Sequence, residues 1–262
     1  LLFLVTIIYF IAVRGTPALS WEFITAVPRN GMTEGGVAPA IVGTIYLTLG
    51  AVLFAFPLGV ACAVYLQEYS LKSYVVNIVR MGINNLAGVP SVVFGLFGLA
   101  VFVKIFGFGV SMLSGSLTLG ILILPGIISA SQEALMAVPL SFREASLAMG
   151  ATKWQTIRRI TLPAALPGIL TGVIISIGRA AGETAPILFT AAVFYKRGFP
   201  TSIFSDVMAL PYHIYALMSE GVNPEKQTAI AYGCALILIV LVGIMSSLAI
   251  VIRNKYRSTY GH

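Results

Sequence analysis

The stretch Ser141-Phe-Arg-Glu144-Ala145-Ser146-Leu-Ala148-Met149-Gly150-Ala-Thr152-Lys-Trp154-Gln155-Thr-Ile157-Arg-Arg-Ile160-Thr-Leu-Pro163 is a polar run set between two strongly hydrophobic segments. It carries two capping-box spacings, Ser141-x-x-Glu144 and Thr152-x-x-Gln155. In each, the hydroxyl accepts from the backbone N–H three residues on while the Glu or Gln reaches back, satisfying orphan donors at a helix start. Gly150 falls between the boxes, where a left-handed residue ends the first helix, and Pro163 disfavours continuation of the second at Leu162. The predicted object is helix, tight turn, helix. The first helix, Phe142–Met149, is kept slim by Ala145, Ser146 and Ala148 and fits a groove. In the second, Trp154, Ile157 and Ile160 recur at helical spacing and form an apolar stripe.

Outward from this insert, composition places the chain in a bilayer. Of 262 residues, 58% are hydrophobic and only 10% charged, with a mean hydropathy of +0.96, far from a soluble domain. Apolar runs near 1–13, 39–66, 83–103, 116–137, 164–194 and 228–251 predict six transmembrane helices and an all-α membrane protein. The first run supplies only about 20 Å of helix at ~1.5 Å per residue, and the chain opens on leucine, so its natural start is expected upstream. The organisation read from these runs is a peripheral first helix and outer loop over 1–38, a five-span core over 39–252 holding the insert at 139–163, and a tail over 253–262.

Nine lysines and arginines fall in 67–82, 139–163 and 253–262, against six in 14–38, 104–115 and 195–227. The positive-inside rule thus sets the insert and the C-terminus in the cytoplasm. The net charge of +7 reads as leaflet preference, since no basic stripe with interleaved aromatics suggests nucleic acid. Cys62 and Cys234 sit in apolar runs, and with only His213 and His262 no Cys/His metal site is expected. No phosphate-binding G-x-x-x-x-G-K-[ST] loop occurs, and the serines lack the His partner of a nucleophilic site. An enzyme is not expected, and any ATP must bind a different chain.

The second informative stretch is Arg179-Ala-Ala-Gly182-Glu183, near the middle of the 164–194 run. An arginine at a bilayer centre costs roughly 2.5–3.5 kcal/mol on insertion scales, so something must offset it. On a continuous helix, Gly172, Ser176, Gly182, Glu183, Pro186 and Thr190 project within about 60° of Arg179 and form a small, polar face. One reading is an Arg–Glu pair that joins helices. The other is an anion path: the guanidinium fork suits an oxyanion, and Glu183 accepts from an O–H that phosphate carries and sulfate lacks. Gly88 and Pro90 loosen the start of another run and make Asn85 and Ser91 further path candidates. Outside, 205–218 reads as an interfacial helix interrupted near Pro211.

Glu144-Ala145-Ser146, Gly150 and the closing Ile160-Thr161-Leu162-Pro163 resemble the EAA signature of ABC-importer permeases. Gly178-Arg179-Ala180-Ala181-Gly182-Glu183-Thr184-Ala185-Pro186 resembles a stretch of PstA-type phosphate permeases, as do Gly88–Gly95 and the outer Ala209-Leu210-Pro211-Tyr212-His213-Ile214-Tyr215. The resemblance runs from about residue 40 to the C-terminus and departs at Ser146, where the signature has alanine. It implies a type I ABC-importer permease fold with a cytoplasmic coupling helix, in a bacterial or archaeal inner membrane, working by alternating access. It also implies four kinds of partner: a homologous PstC-like permease subunit, two ATPase subunits that bind the ATP and Mg, an extracytoplasmic phosphate-binding protein, and the lipid membrane. Glu144, Ala145, Ala148, Met149, Gly150 and Trp154 would couple to the ATPase. Sulfate or molybdate transport, or a proton-coupled secondary transporter, are the alternatives.

Overall fold

A chain this apolar must satisfy its own backbone wherever it meets hydrocarbon, which favours helices. The computed structural model describes residues 2–32, 34–69, 74–196, 198–221 and 224–260. Among these the only β pairings are isolated bridges at Arg29–Glu34 and Ala192–Val207. In chain order the helices are α1 (Leu2–Gly15), α2 (Trp21–Thr25), α3 (Ala38–Val64), α4 (Tyr74–Ala87), α5 (Ser91–Gly98), α6 (Met112–Met136), α7 (Leu140–Ala148), α8 (Lys153–Thr156), α9 (Leu162–Gly182), α10 (Ala185–Thr190), α11 (Leu210–Ser219) and α12 (Pro224–Tyr260). Wide π turns extend α3 over Tyr65–Tyr69 and α5 over Leu99–Ile105, and join α8 to α9 over Ile157–Thr161.

Four helices among the described residues are long and apolar enough to cross a membrane: Ala38–Tyr69, Met112–Met136, Lys153–Gly182 and Lys226–Tyr256. Val76–Ala87 and Ser91–Ile105 reach that standard only as a broken pair, which gives a fifth. The break falls at 88–90, where Gly88 and Pro90 were expected to loosen the backbone. The sixth expected span corresponds to α1, a 14-residue helix that is apolar but shorter than the others.

Three expectations about prolines are corrected. Pro163 does not stop the second insert helix, which runs through it from Lys153 to Gly182; the wide turn at Ile157–Thr161 leaves room for the ring and its missing donor. The 164–194 run is not one helix, because α9 ends at Gly182 and α10 starts at Ala185. Pro186 has no N–H for the Gly182 carbonyl, and its ring would crowd that carbonyl in a continuous helix. Pro211 begins α11 instead of interrupting it, since proline's fixed φ and absent N–H suit a first turn.

The chain divides into two compact units, one formed by 1–51, 90–119 and 180–244, the other by 52–89, 120–179 and 245–262. In the first, Phe23, Val37, Met208, Leu210, Leu217 and Cys234 build the core. The buried Thr44 hydroxyl there accepts from the Leu210 N–H at 2.9 Å while donating to the Ala40 carbonyl at 2.8 Å. One of the orphan donors at the start of α11 is thus satisfied by a side chain of α3. In the second unit, Leu66, Ile128, Leu135, Val138, Ala165 and Ile169 pack together. A Cβ on Gly172 would lie 2.4 Å from that of Ala130, so α6 and α9 approach as closely as small residues allow. Along α12, by contrast, Val240, Ile244, Leu248 and Val251 are exposed, as expected for a face whose solvent is lipid.

Candidate functional site

The insert folds as two helices about Gly150, with one of its two capping boxes. Pro139 is the N-cap of α7 and no side chain caps it, so the Ser141–Glu144 box is absent. The proline nucleates the helix before the serine is reached, which leaves Ser141 inside the first turn. At the other end Gly150 has φ +83°. Its N–H donates to the Leu147 carbonyl at 2.9 Å and that of Ala151 to the Ser146 carbonyl at 3.2 Å, the paired bonds of a Schellman ending. Thr152 then opens α8 with its full box: Thr152 Oγ1 accepts from the Gln155 N–H at 3.3 Å, and Gln155 Oε1 from the Thr152 N–H at 2.8 Å. Ser146 bonds the Thr156 hydroxyl at 2.9 Å, so the serine that departs from the EAA pattern ties α7 to α8.

No residue of α7 is fully buried, and all its apolar side chains are exposed. Met149 is 88% exposed, and Phe142 and Leu147 about half exposed, an apolar surface on a polar insert of the kind that marks an interaction site. Phe142, Ala145, Ser146, Met149 and Ile160 line a hollow of about 580 Å³. Ala148 and Gly150 are exposed beside it. Trp154 is not among them: it lines a separate hollow of about 560 Å³ with Tyr65, Tyr69 and Arg158, where the Lys153 ammonium sits 5.0 Å above the Tyr69 ring. The expected stripe is also divided, since Ile157 is buried whereas Trp154 and Ile160 are exposed. Residues three apart share a face only at about 3.6 residues per turn, and the π turn at Ile157–Thr161 shifts the register.

Two residues that sequence reasoning passed over join the site. Arg143 Nη2 on α7 donates to the Leu135 carbonyl at 2.7 Å and lies 3.0 Å from Glu68 Oε1, with side chains 18% and 9% exposed. Glu144, exposed and not a cap, borders the hollow of about 380 Å³ that these two share. The available signal was Glu68 itself, the one acidic residue of 67–82, closing a long apolar run.

The path candidates distribute over both units. Asn85, Ser176 and Arg179 belong to the second, and Ser91, Glu183 and Thr190 to the first. Arg179 is exposed in the last turn of α9, where the negative end of the helix dipole favours a cation. The projection that grouped it with Pro186 and Thr190 does not hold beyond Gly182, because the helix stops there. Glu183 is half-buried in the break and borders a void of about 10 Å³, room for one water, with Thr44, Thr48 and Pro211. Ser176 and Thr190 are buried and donate within their own helices, to the Gly172 and Pro186 carbonyls at 2.9 and 2.8 Å. Ser91 opens α5 behind Pro90. A Cβ on Gly95 of that helix would come within 2.9 Å of the Ala185 carbonyl, so α5 and α10 are in close contact. Asn85 is exposed near the end of α4.

Residues 55–258 match the family described as the inner membrane component of binding-protein-dependent transport systems. The chain belongs to that family. The permease is 40% identical over 245 residues to the phosphate transport system permease protein PstA of Mycobacterium leprae, covering 91% of this chain and 79% of that protein. It is 33% identical to the PstA of Xylella fastidiosa, covering 94% and 85%. It is 32% identical to the probable ABC transporter permease protein YqgI of Bacillus subtilis, covering 91% and 85%. Among solved structures, the MetNI methionine ABC transporter in inward-facing form matches with a TM-score of 0.68 at 20% identity, over 84% of this chain and 95% of that one. A bacterial alginate ABC transporter in complex with its periplasmic protein matches at 0.62 and 18%, over 99% and 94%. The permease therefore has the fold of ABC-importer permeases and is a multi-pass inner-membrane protein.

Proposed function

We propose that the permease forms half of the translocation path of an ATP-driven phosphate importer and couples to a separate ATPase through the 139–163 insert. The substrate assignment is supported above all by relatives named as phosphate permeases, which align over more than nine-tenths of the chain at 33–40% identity. Coupling is supported by α7, whose apolar side chains bury nothing within the chain and sit on a helix held at both ends. In this reading the insert and C-terminus face the cytoplasm, a second permease subunit completes the path, and a binding protein delivers phosphate from outside. ATP and Mg belong to the ATPase. Arg179 supplies a planar donor fork for an oxyanion, and Glu183 an acceptor for the proton phosphate retains at neutral pH.

The test is ATP hydrolysis by the reconstituted complex with its binding protein, in the presence of phosphate, sulfate or neither. Stimulation by phosphate alone is expected; equal stimulation by sulfate would move the cargo assignment, and none at all would sink the reading. Arg179→Lys keeps the charge and loses the fork, so phosphate uptake should fall at least about tenfold, the loss of roughly one charge-assisted hydrogen bond. Full uptake in that variant would leave Arg179 as a purely structural cation.

A further inference from the structure

Resting on the coupling reading above, we propose that Arg143 is a positioning residue for transport, and that with Glu68 it forms the strut by which movement of α7 reaches α3. The covalent chain already ties α7 to two of its neighbours. Three residues, 137–139, separate it from the end of α6, and Gly150 with the Ser146–Thr156 hydrogen bond holds it to α8. Nothing covalent and close links it to α3, whose π-turn end at Tyr65–Tyr69 lies far earlier in sequence. Arg143 makes that link. Its guanidinium is divided between the Leu135 carbonyl in the last turn of α6 and the Glu68 carboxylate at the end of α3.

The chemistry of the pair suits a contact that must survive movement. Both side chains are largely buried, so removing either leaves the other as a poorly solvated charge, a far larger loss than for a surface pair. Glu68 Oε1 has no partner in hydrogen-bond alignment among the described residues, and neither has Arg143 Nε; the contact is held by charge at 3.0 Å. Coulomb attraction falls slowly with distance and has no preferred angle, whereas a hydrogen bond weakens steeply once bent. The pair therefore tolerates rotation of α7 while still pulling the end of α3 with it. The bond to Leu135 is the directional one and fixes the arginine to α6, where the cation also meets the negative end of that helix. A second arginine supports the same end of α3: Arg80 Nη2 donates to the Leu66 carbonyl at 3.1 Å.

The experiment uses the complete complex in vesicles and reads phosphate transported per ATP hydrolysed. Arg143→Gln should leave the ATPase bound in its normal proportion and still hydrolysing, while transport per ATP falls at least about fivefold. Glu68→Gln, nearly isosteric and leaving the Leu135 anchor intact, should fall in the same direction, and the double variant should be no worse than Arg143→Gln alone, as for two ends of one contact. A purely structural role would reduce the amount of assembled complex and leave the ratio unchanged. An assembled Glu68→Gln or Arg143→Gln complex with wild-type transport per ATP overturns the strut, as does a double variant whose losses multiply. A wild-type complex that phosphate does not stimulate overturns the functional reading, and the strut with it.

Discussion

α7 and α11 are short helices of similar length, 9 and 10 residues, each opening behind or at a proline, yet they end in opposite environments. α11 buries Leu210, Pro211, His213, Ala216 and Leu217; α7 buries no apolar side chain. α11 is held by its core and by the Thr44 hydroxyl on its first N–H. α7 is held by polar ties at its margins: the Arg143 contacts, the Gly150 ending and the Ser146–Thr156 bond. Apolar content alone does not say where a helix belongs. A helix fixed by polar ties at its margins, with its apolar side chains left out, is arranged for a partner, whereas one fixed by its apolar face is part of the scaffold.

The largest expected effect comes from truncating the same residue type in both. Leu210 is 0% exposed, so Leu210→Ala should destabilise the permease by about 2–5 kcal/mol, the usual cost of a buried leucine removed from a packed site. Leu147→Ala on α7 should leave the thermal midpoint of the isolated permease unchanged and weaken its association with the ATPase. If both variants lower the midpoint equally, α7 is scaffold and the contrast fails. Cysteine crosslinking tests the same point: Ala145 and Met149 should link to a co-expressed ATPase, and Tyr215, exposed on α11, should not.

A pH titration separates the two helices next. His213 on α11, outside the spanning helices, is 1% exposed, and burial pushes its pKa down to about 4. The Phe194 carbonyl pulls the other way, without reaching hydrogen-bond alignment. Glu34 and Lys226 line the same cavity of about 310 Å³. The folded state keeps the imidazole neutral, whereas the unfolded chain protonates it below about 6.5, so stability present above that pH is lost as pH falls toward 4. The shift corresponds to about 3 kcal/mol. His213→Asn should flatten the thermal midpoint between pH 6.5 and 4. An unchanged slope would place the ring in contact with water. α7 carries no histidine, so substitutions there should leave the slope alone.

How far these regions were legible in the sequence follows from which periodicity held. Thr152–Gln155 and Gly150 were readable because each acts within four residues, where spacing alone fixes the geometry. Ser141–Glu144 had the same spacing and failed, because Pro139 had already started the helix two residues earlier. The face around Arg179 failed for a related reason: 100° per residue applies only while the helix continues, and Pro186 ends the ladder at Gly182. Glu68–Arg143 and Thr44–Leu210 were not legible at all, since each joins residues far apart in sequence that only packing brings together.

The smallest expected effect tests the hinge on which α7 depends. Beyond its chain neighbours, no heavy atom of the described residues lies within 4 Å of the position a Cβ would take on Gly150, so steric crowding is not what requires glycine there. The requirement is φ +83°, a left-handed conformation that costs a residue with a Cβ roughly 1–2 kcal/mol. Because α7 buries no apolar side chain, that strain meets little packing at the C-terminal end of the helix, which can relieve it by fraying at Met149 and releasing the two Schellman bonds. Gly150→Ala should therefore cost the permease less global stability than the local strain, under about 1 kcal/mol, while ATPase association falls by up to about tenfold, the equivalent of ~1.4 kcal/mol. Gly150→Asn, which enters the left-handed region more readily, should recover part of the loss. Were Ala and Asn to behave alike, the turn would not be set by backbone conformation, and α7 would have to be oriented by Arg143 and Ser146 alone.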